Sequence, residues 1–275
     1  MLVVLVYSWL LQETDFDGRT EFRARSFYSA YAIRHIQDAG VRKLVAGTHI
    51  HGEQYTLDKK STSPQAYYSK YSGIAQLFRQ LQRKSTIGLI GVGLGSLTAY
   101  GRLYDQFDLF ELDPLVLEIA MNEFSYLTKT PSALRFISGD GRISSKQEPN
   151  NRYDLLVVDA LTSGSIPMHL VTVEAVDEMF QKMKPGGAVA YHISNQHVDL
   201  APVLKGIGAQ LELGVVVHQQ TQGFSSEIYP ARWVILTKDQ HQIDHLKQTD
   251  LGWRDIQGES VVWTDDRSSI RAVLK

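Results

Sequence analysis

Three glycines at alternate positions, Gly91-Val92-Gly93-Leu94-Gly95, directly follow the apolar run Ile87-Gly88-Leu89-Ile90. A turn without Cβ atoms lets backbone N–H groups approach a ligand closely, and a helix starting there favours electron-rich groups. Leu97-Thr98-Ala99-Tyr100 can open that helix. Such a turn alone also serves to pack a helix on a sheet. The second signal is an acid. Glu111 closes the run Asp108-Leu109-Phe110 and stands 20 residues beyond Gly91. In a nucleoside-binding βαβ unit a carboxylate at that spacing accepts hydrogen bonds from ribose hydroxyls. Asp113, just before Pro114, reads instead as a helix N-cap. The spacing G-x-G-x-G departs from the dinucleotide pattern G-x-G-x-x-G and leans towards adenosyl-sulfonium ligands, which carry no pyrophosphate.

Two more acids follow the same rule of position. Asp140 lies in Gly139-Asp140-Gly141 after an apolar run, and Asp159 ends Tyr153-Asp154-Leu155-Leu156-Val157-Val158. Open parallel sheets bind ligands beyond the carboxyl ends of their strands. Gly91, Gly93, Glu111, Asp140 and Asp159 share that location, which is stronger evidence than any one motif. Each also has a structural reading: Asp140 as a turn residue, Asp159 as a cap. His49 and His51 alternate on one side of a strand, but no third ligand is nearby, so no metal site is expected. His192 and His197 read as ordinary pocket or surface residues. Tyr67, Tyr68, Tyr229 and Trp233 suit a cation pocket through their ring faces, and core packing explains them equally well.

The elements that must position these residues alternate. Ile74, Leu77, Phe78 and Leu81 form one helical stripe. Helices are predicted over 115–124, 173–183 and from Pro202, with strands over 87–90, 108–111, 134–137, 153–158, 188–193, 213–218 and 232–237. This pattern predicts an α/β fold: a Rossmann-like, doubly wound, seven-stranded, mainly parallel sheet. Residues up to about Leu57 read as β-rich and antiparallel. The division expected is a small N-terminal β-rich domain over 1–72 and a nucleoside-binding catalytic domain over 73–275.

The 275 residues are 43% hydrophobic, enough for a sizeable core. The net charge is -2 with no basic run, which argues against a nucleic-acid partner. The absence of cysteine excludes disulfides, thiolate nucleophiles and Cys-based zinc sites, and fits the reducing cytoplasm expected for it. Residues 1–11 are apolar but too short to span a bilayer, and lack the basic region of a signal peptide. They read as a buried strand or dimer contact; the rival reading is the stump of a hydrophobic segment in a longer, membrane-attached parent.

Taken together, Arg25-Ser26-Phe27-Tyr28, His51-Gly52-Glu53-Gln54, the glycine turn, Glu111-Leu112-Asp113-Pro114, Gly139-Asp140-Gly141, Asp159 to Pro167, Tyr229-Pro230-Ala231-Arg232-Trp233 and Trp263-Thr264-Asp265-Asp266 resemble the spermidine synthase (polyamine aminopropyltransferase) family, within the class I methyltransferase-like superfamily, including members fused to membrane transporters. The resemblance implies transfer of an aminopropyl group from decarboxylated S-adenosylmethionine to an amine, releasing methylthioadenosine, without a metal. It implies that Glu111 binds the ribose, Asp140 and Gly141 the adenine, and Gln54 the thioether end. Asp159 would take the amine's proton, beside Tyr67, Tyr68 and Tyr229. A homodimer acting on small molecules is the expected assembly. Two departures stand out: the family's second aspartate after Asp159 is Thr162, and its Tyr-His-Glu motif is Tyr67-Tyr68-Ser69. Both positions lack a carboxylate that would grip a diamine, so the acceptor is open. The alternatives are an S-adenosylmethionine-dependent methyltransferase and a non-catalytic adenosyl-binding module.

Overall fold

A computed structural model describes residues 19–47, 49–160, 166–195, 197–221, 229–248 and 251–275. The expectations placed on residues 1–11 and on Thr162 lie outside the described residues.

The first four strands, β1 (Arg19–Arg25), β2 (Ala30–Ile36), β3 (Val41–Ala46) and β4 (His49–Tyr55), form an antiparallel meander in chain order. Period-2 alternation gives this sheet one apolar face, and Tyr31, Ile33, Leu44 and Ala46 bury on it. That face packs against Leu94 of the glycine turn and against Val116 and Ile119 of the following helix, Pro114–Glu123. The small sheet is therefore seated directly on the glycine turn. Between β3 and β4 the register shifts: Leu44 pairs with Gly52 and Val45 with Ile50, so His51 bulges. Gly52 has φ +151°, and a Cβ there would lie 3.0 Å from Leu94 Cδ1. Only glycine lets the bulge close on the turn.

The larger sheet contains β5 (Thr86–Ile90), β6 (Gln106–Glu111), β7 (Ala133–Ser138), β8 (Tyr153–Val158), β9 (Met183–His192), β10 (Gly214–Gln220), β11 (Ala231–Thr237) and β12 (Trp253–Arg254), in the spatial order β12-β10-β11-β9-β8-β5-β6-β7. Strands β5 to β9 are mutually parallel; β11 is antiparallel to β9, and β10 is antiparallel to both β11 and β12, so only β11 and β12 run against the rest. This is the expected doubly wound, methyltransferase-like sheet, with an eighth strand. Two residues are too few for β12 to show any periodicity. Apolar side chains bury on both sheet faces. The helix Gly73–Gln80 covers one of them, capped by Ser72 Oγ accepting from Ala75 N at 3.3 Å. Its buried Ile74, Leu77 and Phe78 contribute about 1.5–3 kcal/mol each.

The chain runs from β5 through β6 to β7 on one side, and from β8 to β9 on the other. The order reverses between β5 and β8, and the crevice lies at their carboxyl ends. There the structure departs from expectation in one detail. The glycine turn leads into a five-residue 3-10 helix, Ser96–Tyr100, not an α-helix, between Gly95 (φ +75°) and Gly101. Among the described residues no helix is long and apolar enough to cross a membrane.

Candidate active site

Glu111 ends β6 with a buried carboxylate. Its Oε2 accepts from Val92 N of the glycine turn at 2.9 Å, and its Oε1 accepts from Asp113 N at 3.0 Å. Burial pushes its pKa above the ordinary glutamate value, against the pull of these backbone donors. One side chain thus ties the turn to the strand end, with the Leu112 backbone as a further donor to it. Asp113 is the cap its sequence suggested, with Oδ1 accepting from Leu115 N at 3.0 Å. Its Oδ2 also accepts from Ser26 Oγ at 2.5 Å and Tyr31 Oη at 2.8 Å, pinning the small sheet beside Glu111.

Asp140, read from sequence as a turn residue, is a helix N-cap. Its Oδ1 accepts from Arg142 N and Ile143 N, both at 3.0 Å, at the start of the helix Gly141–Lys146. Its Oδ2 lies 2.9 Å from His169 Nε2. Gly141 touches the end of β5, where a Cβ would meet Ile90 Cγ2 at 2.3 Å. An open cleft of about 420 Å³ adjoins this point, lined by Asp140, Arg142, Ile143, Lys146, His169, Glu178 and Asp265. Arg142 fixes its rim through two 2.7 Å bonds to Asp265. Asp159 and its neighbours do not line this cleft.

Asp159 follows β8, and its backbone N donates to Ile90 O at 2.8 Å. Gly91 has φ +86°, and a Cβ there would stand 2.6 Å from Asp159 O. The turn and the acid are therefore in van der Waals contact. Parallel pairing of Val158 with Tyr191 puts the next residues, Asp159 and His192, side by side. His192 Nδ1 lies 2.7 Å from Asp159 Oδ1, and its Nε2 lies 2.8 Å from Ser194 Oγ. Ser194 Oγ accepts from Arg232 N at 2.8 Å. Nδ1 faces an acceptor-only carboxylate and is therefore the donor of that pair, while Ser194 Oγ partners Nε2. Trp233, paired with His192 across β9 and β11, stacks on the ring at 4.4 Å and 12°.

Aromatic residues complete this corner. Tyr68 is buried and hydrogen-bonds Asp159, and burial first, then that acid, raises its pKa well above 10. Tyr67 lies 5.3 Å from the His192 ring and 5.2 Å from the Tyr229 ring. Burial, then Tyr229, Glu53 and Asp159, push its pKa up to about 12, so it is a neutral phenol at physiological pH. Burial holds His51 below its usual range, and Asp159 opposes the shift.

Gln54 needs a correction. Its amide does not face this corner: Nε2 donates to Ser61 O at 2.8 Å and Ser125 Oγ at 3.1 Å, and Oε1 accepts from Ser125 N at 3.1 Å. One amide N–H is spent on the segment that follows β4, at Ser61, and the other on the loop after the helix Pro114–Glu123, at Ser125. Its neighbour Glu53 points the other way, to Tyr229, because successive strand side chains alternate. Sequence reasoning missed His192 and Glu53. The location rule that selected Asp159 applies equally to His192, a polar residue ending a buried strand.

No family model matches the chain. Over 106 residues, 37% of the chain, it is 32% identical to a polyamine aminopropyltransferase of Vibrio vulnificus. Over 137 residues, 49% of the chain, it is 29% identical to an uncharacterized protein of Methanocaldococcus jannaschii. These stretches cover 35% and 44% of the two relatives, so the match spans less than half of their length. A probable spermidine synthase from Corynebacterium glutamicum superposes with a TM-score of 0.63 over 85% of this chain and 89% of that one, at 12% identity. The spermidine synthase of Thermotoga maritima gives 0.59 over 90% and 82%, at 15% identity. The fold is that of the spermidine synthases. A spermidine synthase structure solved with the transition-state analogue AdoDATO matches equally, with a TM-score of 0.59 at 15% identity over 90% of this chain and 83% of its own. The sequence match is to a polyamine aminopropyltransferase and the fold matches are to spermidine synthases, so the chain resembles the family first suggested by its motifs.

Proposed function

We propose that the chain transfers an aminopropyl group from decarboxylated S-adenosylmethionine to an amine, releasing methylthioadenosine. The observation that carries this reading is the contact of Gly91 with Asp159 at the sheet's switch point, with Glu111 one strand away. A nucleoside lying over the turn has its ribose at Glu111 and its sulfur end towards Asp159. Gly141 and the cleft beside Asp140 suit the adenine.

The acid at Asp159 fits the chemistry. An alkylamine is protonated at neutral pH, since the comparable lysine side chain has a pKa of about 10.4. It attacks only after losing that proton. Asp159 accepts the proton, the nitrogen lone pair forms the new C–N bond, and the C–S electron pair returns to sulfur as a neutral thioether. General-base assistance of this kind is worth about 10²–10⁴-fold. Two donors, His192 Nδ1–H and the Tyr68 hydroxyl, hold the carboxylate plane in place. The flanking rings of Tyr67 and Tyr229 offer faces to a passing cation.

The test is an amine panel incubated with decarboxylated S-adenosylmethionine and read by mass spectrometry. An aminopropylated amine together with methylthioadenosine is the expected result. Binding of S-adenosylmethionine at least tenfold tighter than its decarboxylated form, with methylated product, would replace this reading by methyl transfer. Nucleoside binding without any product would leave an adenosyl-binding module.

A further inference from the structure

The aromatic corner next to Asp159 ends on an ion pair that the proposed proton transfer does not use. Lys43 and Glu53 are directly paired residues of β3 and β4. The Glu53 side chain is 2% exposed, and Lys43 Nζ lies 3.3 Å from its Oε2. Tyr229 closes the triangle: Lys43 Nζ donates to its hydroxyl at 2.7 Å, and that hydroxyl donates to Glu53 Oε2 at 2.9 Å. Tyr67 bridges the triangle to the His192–Asp159 pair, with ring centroids 5.2 Å from Tyr229 and 5.3 Å from His192. Among the described residues, the polar groups bonded next to it are an amide and a hydroxyl: Gln220 Nε2 donates to Tyr229 O at 2.9 Å, and Ser69 Oγ reaches Gln220 Oε1 at 3.5 Å.

The charges of this wall cancel. A buried carboxylate beside aromatic rings would be a strong anchor for an ammonium, but the protein supplies that ammonium itself. Cross-strand pairing holds Lys43 in place, so it is not a side chain that drifts away. A second ammonium arriving there meets a like charge, and the Glu53 carboxylate is already satisfied. We propose that the Lys43–Glu53–Tyr229 triangle makes this site select acceptor amines with a single ammonium and an uncharged remainder, and reject α,ω-diamines. This inference rests on the reading of Asp159 as the residue that receives the reacting amine.

Calorimetric titration of the methylthioadenosine-saturated protein with butan-1-amine and butane-1,4-diamine tests it, because the two ligands share one carbon chain. The monoamine binds at least about tenfold tighter to the wild type. Lys43→Met exposes the Glu53 charge and reverses the order. The double change Lys43→Met/Glu53→Gln, neutral again, restores it. Retained methylthioadenosine affinity certifies each variant as folded, and the wild-type comparison needs no variant. Tighter diamine binding to the wild type, an unchanged ratio in Lys43→Met, or no binding of either amine overturns the proposal. Mass spectrometry of the same mixtures separates the two readings. The monoamine preference without aminopropyl product refutes the reaction but keeps the selectivity; product formed with the diamine preferred does the opposite.

Discussion

His192 Nδ1 lies 2.7 Å from Asp159 Oδ1, and the His192 side chain is fully closed to solvent. Parallel register sets the two residues next to each other, and Trp233 stacks on the imidazole at 4.4 Å. A carboxylate held this way presents its remaining oxygen in one direction.

If that positioning matters, His192→Ala lowers kcat for aminopropyl transfer by about 10- to 100-fold, with methylthioadenosine affinity within a few fold. His192→Gln, which can still donate an N–H to Asp159, recovers a good part of the loss. A purely structural role predicts instead that both variants lose thermal stability and keep the kcat of whatever remains folded. Steady-state kinetics beside a melting curve distinguishes the two.

Asp159→Asn removes the proton acceptor while keeping its size. Transfer falls by about 10²-fold or more, and the nucleoside dissociation constant moves by no more than a few fold. Wild-type turnover in this variant would take Asp159 out of the mechanism.

In the proposed ribose role, Glu111 accepts from both hydroxyls best while ionised, since a protonated carboxyl gives up part of its acceptor capacity. Because burial raises its pKa, nucleoside affinity is present at neutral pH and is lost on acidification at a pH above the ordinary glutamate range. The sign for folding is the reverse of the usual carboxylate case. A raised acid pKa means the folded state binds the proton more tightly, so this group favours folding at low pH and that contribution fades as pH rises through the shifted value. Glu111→Gln abolishes the acid limb of the binding curve, and Glu111→Ala costs about 1–3 kcal/mol of nucleoside affinity. Titration calorimetry across pH reads both.

Gly91→Ala places a Cβ 2.6 Å from the Asp159 carbonyl at a φ of +86°. The backbone strain alone is about 1–3 kcal/mol, and the contact displaces the catalytic candidate as well. Denaturant midpoint and transfer activity should fall together. The same change at Gly47 (φ +60°), where no atom lies within 4 Å, lowers stability by the backbone term alone and spares activity.

The alternation of strands and helices, the glycine turn and the acids Glu111, Asp140 and Asp159 were all legible in the sequence, because periodicity and strand-end position are local properties. The Asp113 cap was legible too, through Pro114 beside it. What sequence could not say is which strand ends touch. Asp159 meets His192 only because β8 and β9 are neighbours in one register, although 33 residues separate the pair. Asp113 joins Ser26 and Tyr31 across more than 80 positions because two apolar faces happen to fit.

The side on which β4 presents each residue was likewise a tertiary decision. After the bulge at His51, Gln54 faces Ser125 and Glu53 faces Lys43 and Tyr229. The sequence by itself determined the main strands and the glycine turn, since these follow from hydrophobic period and glycine placement within one stretch. The charge balance of the acceptor wall was decided only by packing, because a charge counts by its nearest partners, and those partners come from strands and loops far apart in the chain.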